Sequence, residues 1–176
     1  MSYRPICDTW ILARSKTKYY GAFPAGFLGR ARALLGVGLS DPVLHVCGGR
    51  ARDYPYVGFG PNDKTLDLDP ALEPDFLHDA REPLPSNDWP AILIDRPYTL
   101  EDAEHYAPGA AALPSANLLI KHAIAAVRVG GKVGILDYVW PMPPKNAKEV
   151  AVVLVTTGRN NRARFFVVFE RLEHAR

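Results

Sequence analysis

Short apolar runs separated by turn residues follow one another along the chain, and this pattern predicts a largely parallel β-sheet. The clearest run is Ala91-Ile92-Leu93-Ile94, which is bounded by Pro90 and Pro97. A continuous apolar run of this length is typical of a strand that is buried on both faces. Comparable runs predict further strands at 42–47, 64–70, 76–80, 132–138, 149–156 and 163–170.

Helical periodicity occurs between these runs. Apolar residues recur at helical spacing over 27–35, before Gly36, and over 115–129, before the pair Gly130-Gly131. Glycines at these positions are typical helix ends. Strands that alternate with helices favour an α/β fold, in which helices cover a parallel sheet.

The composition is that of an ordinary globular domain, with 48% hydrophobic and 23% charged residues. No apolar run approaches the ~20 residues of a membrane-spanning helix, and the N-terminus lacks the apolar core of a signal peptide. Cys7 and Cys47 have the spacing of neither a metal site nor a disulfide framework. We therefore expect a single cytoplasmic domain over residues 1–176, without a metal and with reduced thiols.

The net charge of +2 conceals an uneven distribution. Residues 1–51 contain seven Lys and Arg against two acids, residues 52–128 six against thirteen, and residues 129–176 eight against four. If both termini fold against one edge of the sheet, a basic rim would surround an acidic centre, and basic patches attract phosphate backbones. The alternative is that these are ordinary solvated surface charges.

Candidate chemistry is concentrated at the end of the central apolar run, in Asp95-Arg96-Pro97-Tyr98. Open α/β sheets bind ligands outside the carboxyl ends of their strands. A carboxylate and a backbone carbonyl can accept hydrogen bonds from an amine, and an aromatic ring can stack on the planar group that carries it. The stretch therefore indicates a site for a planar amine; the alternative is an ordinary turn after a strand.

Asp95-Arg96-Pro97-Tyr98 resembles the Asp/Asn-Pro-Pro-Tyr motif of S-adenosylmethionine-dependent amino-methyltransferases, which methylate adenine N6 or cytosine N4 in nucleic acids. The resemblance implies that Asp95 and the backbone carbonyl of Arg96 hold the target amine, while Tyr98 stacks on the base. Arg96 departs from the motif, because the family usually has a proline there. We therefore expect a less rigid loop, stiffened by Pro97 alone, with a guanidinium near the target.

The order of the other strand ends also resembles class I methyltransferases. A glycine turn follows the first strand, carboxylates follow the second and third, and Arg128-Val129-Gly130-Gly131-Lys132 precedes the fifth as it does in that class. The implied fold is α/β and Rossmann-like: a seven-stranded, mostly parallel sheet with an antiparallel C-terminal hairpin and helices on both faces.

The cofactor that the resemblance implies is S-adenosylmethionine. The turn Cys47-Gly48-Gly49 would hold its methionine and ribose portions, since glycines let a ligand approach the backbone closely. Asp67, 18 residues after Gly49, or else Asp69, would accept the ribose hydroxyls. Asp79 would contact the adenine amine.

Residues 1–40 would form a segment and helix that cover the cofactor. Tyr20, Phe23 and Pro24 resemble a Phe-Pro element that lies over the methionine end in the family. The alternative is an N-terminal helix that only packs on the sheet.

Nucleic acid is the expected partner: DNA, single-stranded DNA included, or RNA. The chain has no room for a separate target-recognition domain. Either sequence specificity is low, or the substrate is single-stranded or RNA, or a second copy or a partner chain supplies recognition. The basic residues expected to contact phosphates are Lys16, Lys18, Arg159, Arg162 and Arg164.

The expected activity is methylation of an exocyclic amine, with adenine N6 in DNA as the first choice. One alternative is the same fold acting on RNA, a small molecule or a protein amine. The other is a cofactor-binding module without catalysis. Arg96 would favour it, and so would the glycine turn, which is shorter than the family's usual Gly-x-Gly-x-Gly.

Overall fold

A computed structural model of the chain describes residues 4–85, 88–106, 108–109, 113–158 and 162–174. Its eight strands are β1 (Ile6–Ile11), β2 (Val43–Val46), β3 (Lys64–Asp67), β4 (Phe76–Leu77), β5 (Trp89–Ile94), β6 (Val127–Asp137), β7 (Ala147–Thr156) and β8 (Arg164–Arg171). Its helices are α1 (Phe27–Leu35), α2 (Leu100–Tyr106) and α3 (Ala116–Ala126), with short 3-10 turns at Ala51–Asp53 and Pro70–Leu72.

All eight strands belong to one sheet, in the order β1-β7-β8-β6-β5-β2-β3-β4. Only β8 is antiparallel to its neighbours, β6 and β7. From β2 the chain continues outward to β3, and from β5 it continues in the opposite direction to β6. The adjacent strands β2 and β5 therefore form the topological switch point, where open α/β sheets bind ligands.

The two longer helices cover opposite faces of the sheet. Along β5, Ile92 and Ile94 face the cluster that contains α3, whereas Ala91 and Leu93 face the cluster that contains α1. This alternation follows from the two-residue period of a strand, and it buries both faces of the central strands. Among the described residues, no helix is long and apolar enough to cross a membrane.

The predicted α/β fold is confirmed, with one strand more than expected. The additional strand is β1, which pairs in parallel with β7 at the edge of the sheet. Five of its six residues are not buried; only Trp10 packs into the core, where its ring centroid lies 5.9 Å from that of Phe166. An edge strand with so little buried surface has no apolar run, and the sequence pattern therefore did not indicate it.

The boundary between α3 and β6 was predicted wrongly. We expected the helix to continue to Val129 and the strand to begin at Lys132, but α3 ends at Ala126 and β6 begins at Val127. Gly130 and Gly131 lie inside the strand. Gly130 has a φ of 75°, a conformation that favours glycine, close to the shift in register between β5 and β6.

A buried carboxylate, Asp63, holds the connection between β2 and β3, which has only one 3-10 turn. It accepts hydrogen bonds from the backbone N–H groups of Val43 at 3.0 Å and Gly60 at 2.8 Å. Arg32 of α1 pairs with both of its oxygens at 2.8 and 2.9 Å, and the Nε2 atom of His45 lies 3.0 Å away. One side chain thus connects α1, β2 and the loop that leads into β3.

Burial would raise the pKa of Asp63, but the hydrogen bonds from His45, Gly60 and Arg32 outweigh it and keep the pKa below its ordinary value. A carboxylate with a depressed pKa stabilises the fold above its unfolded-state pKa of about 3.9, and this stabilisation is lost as the pH falls through the folded-state value.

We expect Asp63→Asn to lower the free energy of unfolding at pH 7 by about 3 kcal/mol or more, because the buried Arg32 loses its counter-charge. Urea denaturation would measure the loss. Asp53→Asn breaks an exposed pair with Arg50 and should cost less than about 1 kcal/mol. The difference in the free energy of unfolding between the parent chain and Asp63→Asn should become smaller below about pH 4. A difference that stays constant with pH would show that the charge of Asp63 does not stabilise the fold.

Candidate active site

Two cavities meet at the carboxyl ends of β2 and β5. The first, of about 460 Å³, lies beyond the ends of β2, β3 and β4 and is called the β2–β3 cavity below. The second, of about 420 Å³, contains Tyr98 and Tyr138 and is called the tyrosine cavity. The residues that line both are Tyr20, Gly21, Asp95, Pro97 and Tyr106.

The floor of the β2–β3 cavity is the turn that follows β2. Cys47 and Gly49 have positive φ angles of 54° and 50°, so the backbone reverses direction sharply here. A Cβ on Gly48 would lie 2.9 Å from the carbonyl oxygen of His45, too close for any larger residue. The shortened glycine turn therefore still brings the backbone to the wall of the cavity.

Besides Asp95, three carboxylates line this cavity, and they differ in their remaining hydrogen-bonding capacity. Asp67 accepts hydrogen bonds from the backbone N–H groups of Gly49, Leu68 and Asp69, at 2.8–3.2 Å. Asp69 accepts one, from Ala71 at 2.8 Å. Since an ionised carboxylate offers about four lone pairs, Asp69 can accept more new hydrogen bonds than Asp67, although Asp67 stands closer to the glycine turn.

The third carboxylate, Asp79, is paired with Arg81, whose guanidinium donates to both of its oxygens at 2.6–3.0 Å. The hydrogen bond from Arg81 lowers the pKa of Asp79. The predicted contact with an adenine amine must therefore share oxygens that already accept from a guanidinium.

The rest of the β2–β3 cavity suits a ligand with a flat apolar part and a charged part. Leu68, Leu72 and Ala80 provide apolar surface beside the carboxylates. Lys18 and Arg50 provide positive charge, and the Arg50 guanidinium lies 5.5 Å from the ring centroid of Tyr19. A volume of about 460 Å³ lies in the range of small-molecule sites. The donor set and size fit a nucleoside that carries an amino-acid group.

In the tyrosine cavity, Asp95, Tyr98 and Arg164 form a chain of hydrogen bonds. The Tyr98 hydroxyl donates to Oδ1 of Asp95 at 2.5 Å and accepts from Nη1 of Arg164 at 3.3 Å. The Tyr98 ring lies against Tyr138, with centroids 4.7 Å apart and planes at 46°. Arg164 and Arg162 lie over Tyr98 and Tyr138 at 5.8 and 5.6 Å, respectively.

Removal from water raises the pKa of Asp95 to about 7. The Tyr98 hydroxyl and the charge of Arg164 oppose this rise, whereas Asp137 and Asp102 add to it. Asp95 therefore changes its charge near neutral pH, as a group that must accept a hydrogen bond or a proton in a reaction often does.

Our expectation that Arg96 would leave the loop less rigid was wrong, although Arg96 does line the tyrosine cavity. Its side chain is buried and pairs with Asp137, at 2.6 Å from Nε and 3.2 Å from Nη2. Nη1 donates to the carbonyl oxygens of Pro97 and Pro114, each at 3.1 Å. Arg96 thus links the loop to the end of β6 and to the segment before α3, and these bonds restrain the loop where the related motif has a proline.

The structure divides the predicted N-terminal residues between the two cavities. Phe23 lines the β2–β3 cavity, Pro24 lines the tyrosine cavity, and Tyr20 lines both. The Tyr20 hydroxyl donates to Oδ1 of Asp102 on α2 at 2.8 Å, and its ring lies 4.2 Å from that of His105. Tyr20 is therefore a wall shared by both cavities.

The predicted basic contacts are also dispersed. Arg162 and Arg164 line the tyrosine cavity, whereas Lys18 lines the β2–β3 cavity. Lys16 is exposed and lines neither of them, and Arg159 lies outside the described residues.

Sequence reasoning missed several residues of the site. Tyr138 directly follows β6, and Arg50 directly follows the glycine pair, so both stand at strand ends as the predicted residues do. Arg14 and Thr157 reach the tyrosine cavity from distant parts of the chain, and no local pattern marks them.

No protein-family model matches the sequence, and no curated protein matches it. Solved structures do match its fold. TrmN from Thermus thermophilus superposes with a TM-score of 0.53 at 19% identity; the match covers 82% of this chain, which spans 48% of TrmN. An rRNA methylase from Streptococcus thermophilus gives a TM-score of 0.51 at 11% identity, over 82% of this chain and 95% of that protein.

The N-methyltransferase NodS from Bradyrhizobium japonicum WM9, in complex with S-adenosyl-L-homocysteine, gives a TM-score of 0.51 at 10% identity, over 82% of this chain and 87% of NodS. The chain has the class I methyltransferase fold. Relative to the predicted seven strands, β1 is an addition at the edge beside β7, and the predicted order of strand ends is retained around the two cavities.

Arg96→Met should lower the free energy of unfolding by about 3 kcal/mol or more, because Asp137 would remain buried without a counter-charge. Adding Asp137→Asn should recover part of that loss, since the uncompensated charge is removed. Lys148→Met, which breaks the less buried pair with Glu170, should cost less than about 1 kcal/mol. Equal losses for Arg96→Met and Lys148→Met in urea denaturation would show that the loop does not depend on Arg96.

Proposed function

We propose that this chain transfers a methyl group from S-adenosylmethionine to an exocyclic amine of a nucleic-acid base, with adenine N6 in DNA as the preferred target. The observation that carries the proposal is the position of Asp95. It lies at the junction of a cavity that suits a nucleoside-containing cofactor and a second cavity that is rich in tyrosine and arginine. A donor and an acceptor bound in the two cavities would meet at its carboxylate.

The β2–β3 cavity would hold the cofactor, which supplies an electrophilic methyl group when it is bound. Asp67 or Asp69 would accept the ribose hydroxyls, and the turn at Gly48-Gly49 would lie against the methionine portion. Lys18 and Arg50 would pair with the carboxylate of the amino-acid end. NodS, which shares this fold, was crystallised with S-adenosyl-L-homocysteine, and this supports the assignment.

In the tyrosine cavity, Asp95 would bind and orient the target amine. One of its oxygens, Oδ1, already accepts from Tyr98. The other would accept an amine N–H, as would the backbone carbonyl of Arg96. Two such bonds turn the nitrogen lone pair away from the acceptors, towards the methyl group. When the new N–C bond forms, the nitrogen loses a proton, and a carboxylate with a pKa near 7 can accept it.

The rings of Tyr98 and Tyr138 would hold the base, and the arginines at the cavity would favour a phosphate backbone. Arg14 and Arg162 line the same cavity as both rings. Aromatic stacking together with positive charge is typical of sites for unpaired bases. On duplex DNA the base must first leave the stack, at a cost of a few kcal/mol, so single-stranded substrates should react more readily.

RNA is the second candidate, because an rRNA methylase is among the proteins that share this fold. Sequence recognition would come from a second copy or from a partner chain. A cytoplasmic location is part of the proposal, since Cys7 and Cys47 are both free thiols.

S-adenosylmethionine should bind the parent chain in calorimetry, and Asp67→Asn and Asp69→Asn would identify the ribose ligand. Substitution of the residue that accepts the hydroxyls should weaken cofactor binding about tenfold or more, which is the order of one charge-assisted hydrogen bond. Substitution of the other aspartate should weaken cofactor binding much less. If the folded parent chain binds no cofactor at millimolar concentration, the proposed function is wrong.

Methyl transfer to single-stranded DNA should rise from pH 6 to pH 8, with a midpoint near 7, because only the ionised form of Asp95 can take up the proton that the amine loses. Incorporation of a labelled methyl group into the DNA would measure this pH dependence. Asp95→Ala should transfer methyl groups about 100-fold or more slowly, while it should still bind the cofactor. Asp95→Asn keeps an acceptor oxygen that does not titrate, so its remaining activity should show no step near pH 7.

Parallel reactions with RNA and with small planar amines would test the alternatives. Nucleic-acid substrates should bind less tightly as salt increases, whereas a neutral small amine should not show that dependence. Cofactor binding without transfer to any of them would indicate a module that has lost catalysis.

A further inference from the structure

Arg164 was expected to be an exposed contact for phosphate, but its surroundings indicate another role. It is partly buried at the start of β8, the strand between β6 and β7. Its Nη1 donates to the Tyr98 hydroxyl at 3.3 Å, and its guanidinium lies over the Tyr98 ring at 5.8 Å. A planar guanidinium can make both contacts at once, whereas a lysine ammonium cannot reproduce this geometry.

The direction of the hydrogen bonds links Arg164 to Asp95. An arginine can only donate, so the Tyr98 oxygen accepts from Arg164 and its hydrogen is directed to Oδ1 of Asp95. The two distances are 3.3 and 2.5 Å, which places the positive charge within about 6 Å of the carboxylate, close enough to favour its ionised form.

The remaining oxygen of Asp95 is oriented by the same contacts. Within the part of the chain that the structure describes, the hydrogen bonds of the Asp95 side chain use Oδ1 only. A carboxylate held at one oxygen presents the other in a fixed direction. Rotation of Tyr98 would release that restraint, and Arg164, together with the contact to Tyr138, opposes such rotation.

We propose that Arg164 is a positioning residue for methyl transfer: it holds the Tyr98 hydroxyl against Oδ1 of Asp95, and thereby keeps the carboxylate ionised and its second oxygen directed at the amine. The inference rests on the proposed function for its kinetic consequence, but the geometric part concerns the free chain. It assigns Tyr98 a second task beside stacking, as the hydrogen-bond donor that transmits the charge of Arg164.

The direct test is the titration of Asp95 by carbon-13 NMR of its carboxyl group in the chain without ligands. In Arg164→Gln the midpoint should rise by about one pH unit, since an opposite charge at this distance lowers a carboxyl pKa by one to three units. Arg128 is exposed and lies at the end of β6 remote from Arg164. Arg128→Gln should therefore leave the Asp95 midpoint unchanged. Near-UV circular dichroism would confirm that each variant is folded.

The pH profile of turnover provides a second readout that general structural damage would not reproduce. A rise of one unit from a midpoint near 7 lowers the ionised fraction at pH 7 about fivefold. Turnover by Arg164→Gln should therefore fall about fivefold at pH 7 and largely recover at pH 9, with little change in KM for the cofactor. Arg164→Lys keeps the charge without the planar contact, so its midpoint should move less.

Tyr98→Phe supplies a variant that keeps the ring and removes the hydroxyl. If Arg164 acts through that hydroxyl, Arg164→Gln should shift the Asp95 midpoint less in the Tyr98→Phe background than in the parent. An unchanged midpoint in folded Arg164→Gln overturns the proposal, and so does an equal shift in both backgrounds. A chain that transfers no methyl group to any amine would overturn the proposed function instead, while the NMR titration would still decide the role of Arg164.

Discussion

The geometry of the binding edge depends on the buried carboxylate of Asp63. Adjacent parallel strands such as β2 and β3 are usually joined by a helix, whereas this chain has a loop with one 3-10 turn. Asp63 connects that loop to Arg32 and to the backbone of Val43, the first residue of the strand that leads into the glycine turn. Because a lone buried charge is costly, the loop is confined to arrangements in which all these donors reach the same carboxylate.

A second buried pair restrains the other side of the switch point. Arg96 and Asp137 connect the loop after β5 to the end of β6, and Arg96 also donates to two backbone carbonyls. A proline would restrict only its own φ and the residue before it. The guanidinium instead fixes the loop relative to a neighbouring strand and to the segment before α3, which is a restraint in tertiary structure that a local rule cannot reveal.

The difference between local and tertiary information explains which features could be predicted. Strands β5 and β6 have continuous apolar runs, and β2 has one that only His45 interrupts, because both of their faces are buried. The polar residues after these strands mark the edge where the two cavities lie. β1 lacks such a run, since only Trp10 is buried. The orientation of Arg96 and the contact between Tyr98 and Arg164 join residues 41 and 66 positions apart, so neither leaves a periodic signal in the sequence.

The uneven distribution of charge along the sequence is also related to contacts between distant parts of the chain. The acidic middle of the chain contributes Asp67, Asp79 and Asp95 to the strand ends, and the basic termini contribute Arg14 and Arg164 to the tyrosine cavity. Among the described residues, the buried acids Asp63 and Asp137 pair with arginines from distant parts of the chain, whereas the direct contact of the partly buried Asp95 is a neutral hydroxyl. Burial therefore raises its pKa until the charge of Arg164, one hydrogen bond further away, limits the rise. Asp95 thus stands at the junction of the two cavities with a neutral hydroxyl, and not a cation, in direct contact with its carboxylate.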